Sequence, residues 1–294
     1  MTVSQSNVRR GAVHTLTLDS RATGRQMTVR VITPPDHRAP EMPLSVLYFL
    51  HPWGLSPRYL IEKLRMPDHL WAGIARGALP PFVIALPEGG KSFYVNALDP
   101  PDHDWAAVVA SQPSFYAHAL EQYGRFGDYL WNEVMPAVEA RFGVRQDRAG
   151  RAIGGISMGG AAAAYHAFRA PDSFCALGIH SPAVFKGPPE QGGPPWIFGT
   201  TPETFAQYNP ADLARRLAPA DQPRIWLDCG DRDALLENVE TLHEALAAQG
   251  LAHEYSVCPG GHDKTYWEPR MQDYLGFYAR DWRAPEGEQD RDTA

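Results

Sequence analysis

The 294-residue sequence has no run of basic residues, no apolar stretch of membrane-spanning length and only three cysteines. Each shortage excludes something. A net charge of −7 without a basic cluster argues against nucleic acid or an anionic membrane surface as partner. Without roughly 20 consecutive apolar residues, a transmembrane helix is not expected. The first ten residues, Met1 to Arg10, lack an apolar signal core, so the expected location is cytoplasmic. Cys175, Cys229 and Cys258 are odd in number and lie in apolar, strand-like runs, so they read as buried free thiols and not as a disulfide framework or metal site. None has an activating neighbour in sequence, which places a catalytic cysteine below the structural reading.

What is present fits an ordinary globular protein. Hydrophobic residues make up 44% and charged residues 21%, enough for a sizeable core. The first segment alternates, with Val13, Leu16 and Leu18, then Met27, Val29, Val31 and Ile32, predicting two antiparallel strands joined near Ala22-Thr23-Gly24. Continuous apolar runs follow at 45–50, 82–86, 152–156, 175–179, 224–228 and 254–258, the pattern of strands covered on both faces. Helical patterns lie between them, at 59–76, 126–142, 160–169, 210–217, 234–249 and 267–282. The alternation predicts an α/β protein with a mostly parallel, doubly wound sheet and helices on both faces. One α/β domain over 12–282 is expected, with a flexible start at 1–11 and a disordered polar tail at 283–294. Two long Pro-, Gly- and aromatic-rich connections, 97–125 and 183–209, could line or cover a substrate pocket or be ordinary surface excursions.

One stretch names a chemistry. The apolar segment Arg151-Ala152-Ile153-Gly154 runs into Gly155-Ile156-Ser157-Met158-Gly159, and an alanine-rich helical pattern follows at once. A serine at the tip of a tight strand-to-helix turn is held out as a nucleophile, and its strained backbone leaves room only for glycine two positions to either side. By composition alone, G-x-S-x-G arises in roughly one chain of this length in ten, so it needs partners elsewhere. A phosphate loop would end in Gly-Lys-Ser/Thr, whereas here Gly160-Ala161-Ala162 follows. Downstream, the run 224–228 ends in Cys229-Gly230-Asp231-Arg232-Asp233, and the last strand-like run ends in Pro259-Gly260-Gly261-His262. Carboxylates and a histidine at strand C-termini lie on the edge where such sheets bind ligands, in the order serine, acid, histidine. On spacing alone either Asp231 or Asp233 could be the acid. Asp233 could equally cap the helix that follows, and His262 could be a solvated loop residue.

These residues resemble the esterase D and feruloyl-esterase-like serine esterases, α/β-hydrolases whose relatives include mycolyltransferases. The resemblance covers roughly residues 12–282 and rests on seven segments. Four run up to and through the serine turn: Leu47-Tyr48-Phe49-Leu50-His51, Leu86-Pro87-Glu88-Gly89-Gly90, Tyr129 to Pro136, and Arg151 to Gly160. Three follow it: Pro171-Asp172-Ser173-Phe174, Cys229 to Asp233, and Gly260-Gly261-His262-Asp263. The resemblance implies Ser157 as nucleophile, His262 as base and Asp233, in preference to Asp231, as acid. It implies the backbone amides of Met158 and Trp53 as oxyanion donors. Two positions depart from the family pattern: Pro52 stands where a glycine is usual, and Glu88 where an aspartate is usual. Proline removes only its own N–H, so the amide at Trp53 survives. The implied activity is hydrolysis of a small-molecule ester without metal or organic cofactor; acyl transfer and an inactive binding module are the alternatives. A loop His51-Pro52-Trp53-Gly54-Leu55 ranks S-formylglutathione hydrolysis low. Aromatics in the long connections (Trp105, Phe115, Tyr116, Trp196, Phe198, Phe205, Tyr208) would suit an aryl or bulky apolar acyl group. A homo-oligomer is compatible with the sequence.

Overall fold

The computed structural model describes residues 9–38, 43–98, 124–188 and 195–282. Most of the first long connection, part of the second, and the 283–294 segment lie outside them, as do Trp105, Phe115 and Tyr116.

Eight strands form one sheet: β1 (Ala12–Ser20), β2 (Arg25–Thr33), β3 (Val46–Leu50), β4 (Val83–Pro87), β5 (Arg151–Ile156), β6 (Ala176–His180), β7 (Arg224–Gly230) and β8 (His253–Cys258). Their order is β1-β2-β4-β3-β5-β6-β7-β8. β1 and β2 form the expected antiparallel hairpin, β2 runs antiparallel to β4, and every other pairing is parallel. Successive strand residues serve opposite faces. Val46, Tyr48 and Leu50 join one core, whereas Leu47 and Phe49 join the other. The first core is covered by α3 (Met135–Phe142), α4 (Met158–Arg169) and α5 (Leu236–Ala248). The second is covered by α1 (Pro57–Glu62), α2 (Met66–Ala75) and α6 (Lys264–Tyr278). Among the described residues no helix is long and apolar enough to cross a membrane.

Prolines account for two departures from the helical reading. The 59–76 pattern breaks into α1 and α2 at Arg65, whose φ is 52°, because Pro67 has no N–H to donate to the Lys63 carbonyl of a continuous helix and so stands in the first turn of a new one. The 126–142 pattern is helical throughout, but Tyr129–Val134 winds as a π-helix ahead of Pro136, which has no N–H for the ordinary ladder.

The last helix is keyed into the sheet. Gly154 and Gly178 are register partners on β5 and β6, and a Cβ at either would lie 1.7 Å or 1.8 Å from the Tyr278 hydroxyl. Two bare backbones therefore make the slot that this phenol occupies. We expect Gly154→Ala to cost about 3 kcal/mol or more, read from urea unfolding, because a rigid strand cannot yield to overpacking at that distance. An unchanged midpoint would mean that α6 slides freely over the sheet.

Candidate active site

The strand order places the site. The chain leaves β3 for β4 on one side and returns to β5 on the other, so the loops after β3 and β5 open side by side at the switch point. Leu50 and Gly155 are register partners there, which sets the turn 51–54 beside Ser157.

Ser157 sits at φ 57° and ψ −117°, a strained backbone for a residue with a side chain. Its neighbours explain how it is held. A Cβ at Gly155 would lie 2.5 Å from the Gly159 carbonyl carbon, and one at Gly159 would lie 2.1 Å from the Leu50 carbonyl oxygen. Only glycines let the turn pass this close to β3. The Ser157 N–H donates to the His180 carbonyl at 2.9 Å, and its carbonyl accepts from Ala183 N–H at 2.9 Å. With the backbone tied on both sides, the side chain projects from the sheet edge at the start of α4.

The other two sequence-predicted side chains meet it. Ser157 Oγ is 2.8 Å from His262 Nε2, and His262 Nδ1 is 2.7 Å from Asp233 Oδ2. The network assigns the tautomer: Nδ1–H donates to the carboxylate, and Nε2 accepts from the serine hydroxyl. The Asp233 carboxylate is wholly buried, whereas His262 keeps about 30% of its side chain exposed. Asp233 also accepts the Leu235 N–H at 2.9 Å, so it braces the start of the following turn as well as the histidine.

Asp231 does something else. Its Oδ1 accepts the Gly260 N–H at 2.9 Å, and its own N–H donates to the Cys258 carbonyl at 2.8 Å. It thus staples the loop after β7 to the loop after β8, the two loops that carry Asp233 and His262. Gly260, at φ 148°, lets the second loop rest on the Tyr266 ring, which a Cβ would meet at 2.6 Å. The Trp267 indole stands edge-on to the His262 ring at 5.0 Å, and its N–H donates to Ser181 Oγ at 3.0 Å.

Burial alone would raise the Asp233 pKa, but the His262 hydrogen bond, the Leu235 amide, the His262 charge and the Cys229 thiol together leave it below its ordinary 3.8. A carboxylate with a depressed folded pKa stabilises the fold above its unfolded value and loses that contribution as pH falls through the folded value. The stability advantage of the natural chain over Asp233→Asn is therefore expected at neutral pH and should shrink below about pH 4, as measured by urea unfolding across pH. Cys229, by contrast, is pushed up by burial and by Asp233, so it stays a thiol and not a thiolate nucleophile. All three cysteines are free; Cys229 is buried, while Cys175 and Cys258 are only half-buried.

The turn after β3 is built around Pro52. Leu55 N–H donates to the Pro52 carbonyl at 3.2 Å, and Gly54 has φ 68°, which closes a β-turn with Trp53 at its second position. His51, fully buried, anchors this turn: its Nδ1 is 2.9 Å from the Pro52 carbonyl, and its Nε2 accepts the Gly89 N–H at 2.9 Å. Glu88, the departure noted in the sequence, lies 3.2 Å from His51 Nε2 and accepts the Gly90 N–H at 3.1 Å. Burial alone would raise the Glu88 pKa, yet His51 and the Gly89 and Gly90 amides leave it lowered. Met158 opens α4, so its N–H is among those without an intrahelical acceptor.

These groups border a cavity of about 530 Å³ whose lining includes Ser157, His262, Trp53, Phe93, Phe185 and Trp267. The volume suits a small-molecule ligand, and Trp53, Tyr59, Phe93, Phe185 and Trp267 give the lining its aromatic surface. The loop aromatics picked out from sequence behave differently: Trp196, Phe198 and Phe205 are buried in the core, and none of them lines this cavity.

A second polar cluster escaped the sequence reading. His180 Nδ1 donates to Asp228 Oδ1 at 2.5 Å, and the Tyr266 and Tyr274 hydroxyls donate to Asp228 Oδ2 at 2.8 Å and 2.9 Å. Tyr278 closes the set, 2.9 Å from His180 Nε2. Burial, and then the Asp228 charge, push the phenols of Tyr266, Tyr274 and Tyr278 upward, which keeps them protonated donors. The cluster is sealed from solvent and ties α6 to β6 and β7. The interior glycines of β5 and β6 were its only sequence signal.

The family described as "Putative esterase" matches residues 20–278. The chain belongs to this esterase family. It is 28% identical over 147 residues to the iron(III) salmochelin esterase of Escherichia coli O6:H1, covering 49% of this chain and 34% of that protein. It is 23% identical over 272 residues to Esterase MT1326 of Mycobacterium tuberculosis, covering 82% of this chain and 53% of that protein. The chain therefore spans between a third and about half the length of these two curated relatives. The solved structure of a ferulic acid esterase superposes with a TM-score of 0.74 at 24% identity, covering 92% of this chain and 99% of that chain. That likeness speaks for the fold, which is the α/β-hydrolase arrangement.

Proposed function

We propose that this esterase-family chain is a serine carboxylic-ester hydrolase that works through an acyl-enzyme on a small ester. The observation that carries the reading is the unbroken relay from Ser157 Oγ to His262 Nε2 at 2.8 Å and from His262 Nδ1 to Asp233 at 2.7 Å, at the wall of an apolar cavity.

Ser157 Oγ attacks the ester carbonyl carbon while His262 Nε2 takes its proton. Asp233 holds the imidazole in the tautomer that presents Nε2 and stabilises the imidazolium that forms. The Met158 and Trp53 amides receive the tetrahedral oxyanion; one such donor is worth about 10²–10³ in rate. As the intermediate collapses, the alkoxide departs with the proton from Nε2. Water then attacks the acyl-enzyme, gives its proton to Nε2, and Ser157 recovers a proton as the acid is released. Pro52 and the buried His51 brace hold the Trp53 amide in a fixed turn, so the donor requires no reorganisation at the moment of reaction.

The test is active-site labelling combined with product analysis. A fluorophosphonate probe should modify Ser157 and abolish release of p-nitrophenol from p-nitrophenyl acetate. Free carboxylic acid should appear in equal amount with the alcohol. Labelling elsewhere, with Ser157 untouched, would refute the reading.

A further inference from the structure

Phe93 and Tyr94 are consecutive non-glycine residues in the left-handed region, each with φ 54°. That conformation is unfavourable for bulky side chains and persists only where the surroundings over-determine it. Tyr94 supplies the constraint. Fully buried, it donates its hydroxyl to the Pro87 carbonyl at 2.9 Å and accepts the His51 N–H at 3.3 Å. Its N–H donates to Ser92 Oγ at 3.0 Å, and its carbonyl accepts from His166 Nε2 at 2.8 Å. Gly89 makes the room, since a Cβ there would lie 2.2 Å from the Tyr94 ring. With Tyr94 fixed at both ends, the adjoining Phe93 ring has one place to go. It enters an aromatic set with centroids 5.4 Å from Trp53, 5.9 Å from Phe185 and 5.0 Å from Phe198.

The ring stands between two spaces. Phe93, Ala183 and Phe185 line the 530 Å³ cavity that holds Ser157 and His262. The same three residues line a second, nearly filled space of about 10 Å³, whose other walls include the small Ala161 and Ala162 and the rings of Tyr165 and Phe205. Apart from Phe185, the only large side chain common to both linings is therefore a residue held in a strained backbone by its neighbour.

We propose that Phe93 is the back wall of the substrate cavity and limits the length of the apolar arm of the ester, and that the filled space behind it is a latent extension of that cavity. This inference rests on the serine-esterase reading above and names a specificity-determining residue within it. The ligand class is an ester with an uncharged hydrocarbon arm, carried either on the acyl or on the alcohol side. The wall acts by exclusion: a longer arm must displace a ring that Tyr94 prevents from retreating.

The experiment compares Phe93→Ala and Phe93→Leu with the natural chain on p-nitrophenyl esters of rising acyl length and on acetates of rising alcohol length. Active enzyme is counted by fluorophosphonate titration, so loss of folded protein does not enter the ratio. Phe93→Ala should raise kcat/KM on long esters relative to acetate or methyl by about 10-fold or more, the worth of a methylene or two in an apolar pocket. Phe93→Leu should move the same ratio in the same direction by less, and it decides the matter if the alanine variant yields no labelled protein. The series that shifts identifies which arm of the ester meets Phe93. Titratable variants that keep the natural length profile in both series would overturn the wall while leaving the esterase reading intact. A natural chain that neither labels nor cleaves any ester would instead remove the reading on which the wall rests.

Discussion

Ser157→Ala is expected to lower kcat on p-nitrophenyl acetate by roughly 10⁵–10⁶-fold, the scale found when a triad nucleophile is removed. The fold should be spared. Alanine keeps the Cβ that the turn already accommodates, and the bonds of residue 157 to His180 and Ala183 are made by its backbone. The urea midpoint should therefore stay close to that of the natural chain while activity disappears, which separates a chemical role from a structural one. Activity within tenfold of the natural chain would require another nucleophile. Cys229 is poorly placed to be that nucleophile, since burial and the Asp233 charge keep its thiol protonated.

The second large effect distinguishes two aspartates two positions apart. Asp233→Asn should cost about 10⁴ in kcat, as the equivalent change does in other serine triads. An amide at 233 turns an N–H toward His262 Nδ1, which must then accept. Its proton moves to Nε2, where it faces Ser157 and cannot take the hydroxyl proton. Asp231→Asn should stay within a few-fold, because an amide oxygen can still accept the Gly260 N–H now bound by Oδ1. Steady-state kinetics of the two variants with the same ester give the comparison. Equal losses, or the larger loss at Asp231, would move the acid to the other side chain.

How much of this was legible in the sequence depends on the range of the interaction concerned. The strands announced themselves because a parallel sheet needs both faces apolar, as in Val46–Leu50, where alternate residues enter opposite cores. Gly155 and Gly159 were legible because a strained serine turn excludes side chains locally. Asp233 was harder, since it braces the turn before α5 and also bonds His262, and sequence offers no means of choosing between two roles that one carboxylate fills together. The His180–Asp228 cluster could not be read, because its partners are 38 to 98 residues apart and buried polar pairing leaves no periodic trace. The cavity lining was legible only in part, for a related reason. Trp196 and Phe198 look like loop aromatics in sequence, but short helical turns carry them into the core. The cavity wall takes Trp53 and Phe93 from outside the long connections and Phe185 from the start of the second one.

The position of Tyr278 in its slot between Gly154 and Gly178 has a consequence in time. A polypeptide emerges from the ribosome at about 5–20 residues per second. Ser157 precedes His262 by 105 residues, so the growing chain carries the serine for roughly 5–20 s before the histidine is added. The helix that ends at Tyr278, and whose Trp267 ring packs on His262, follows later still. Under the proposed mechanism, Ser157 stays an ordinary alcohol until that late segment arrives.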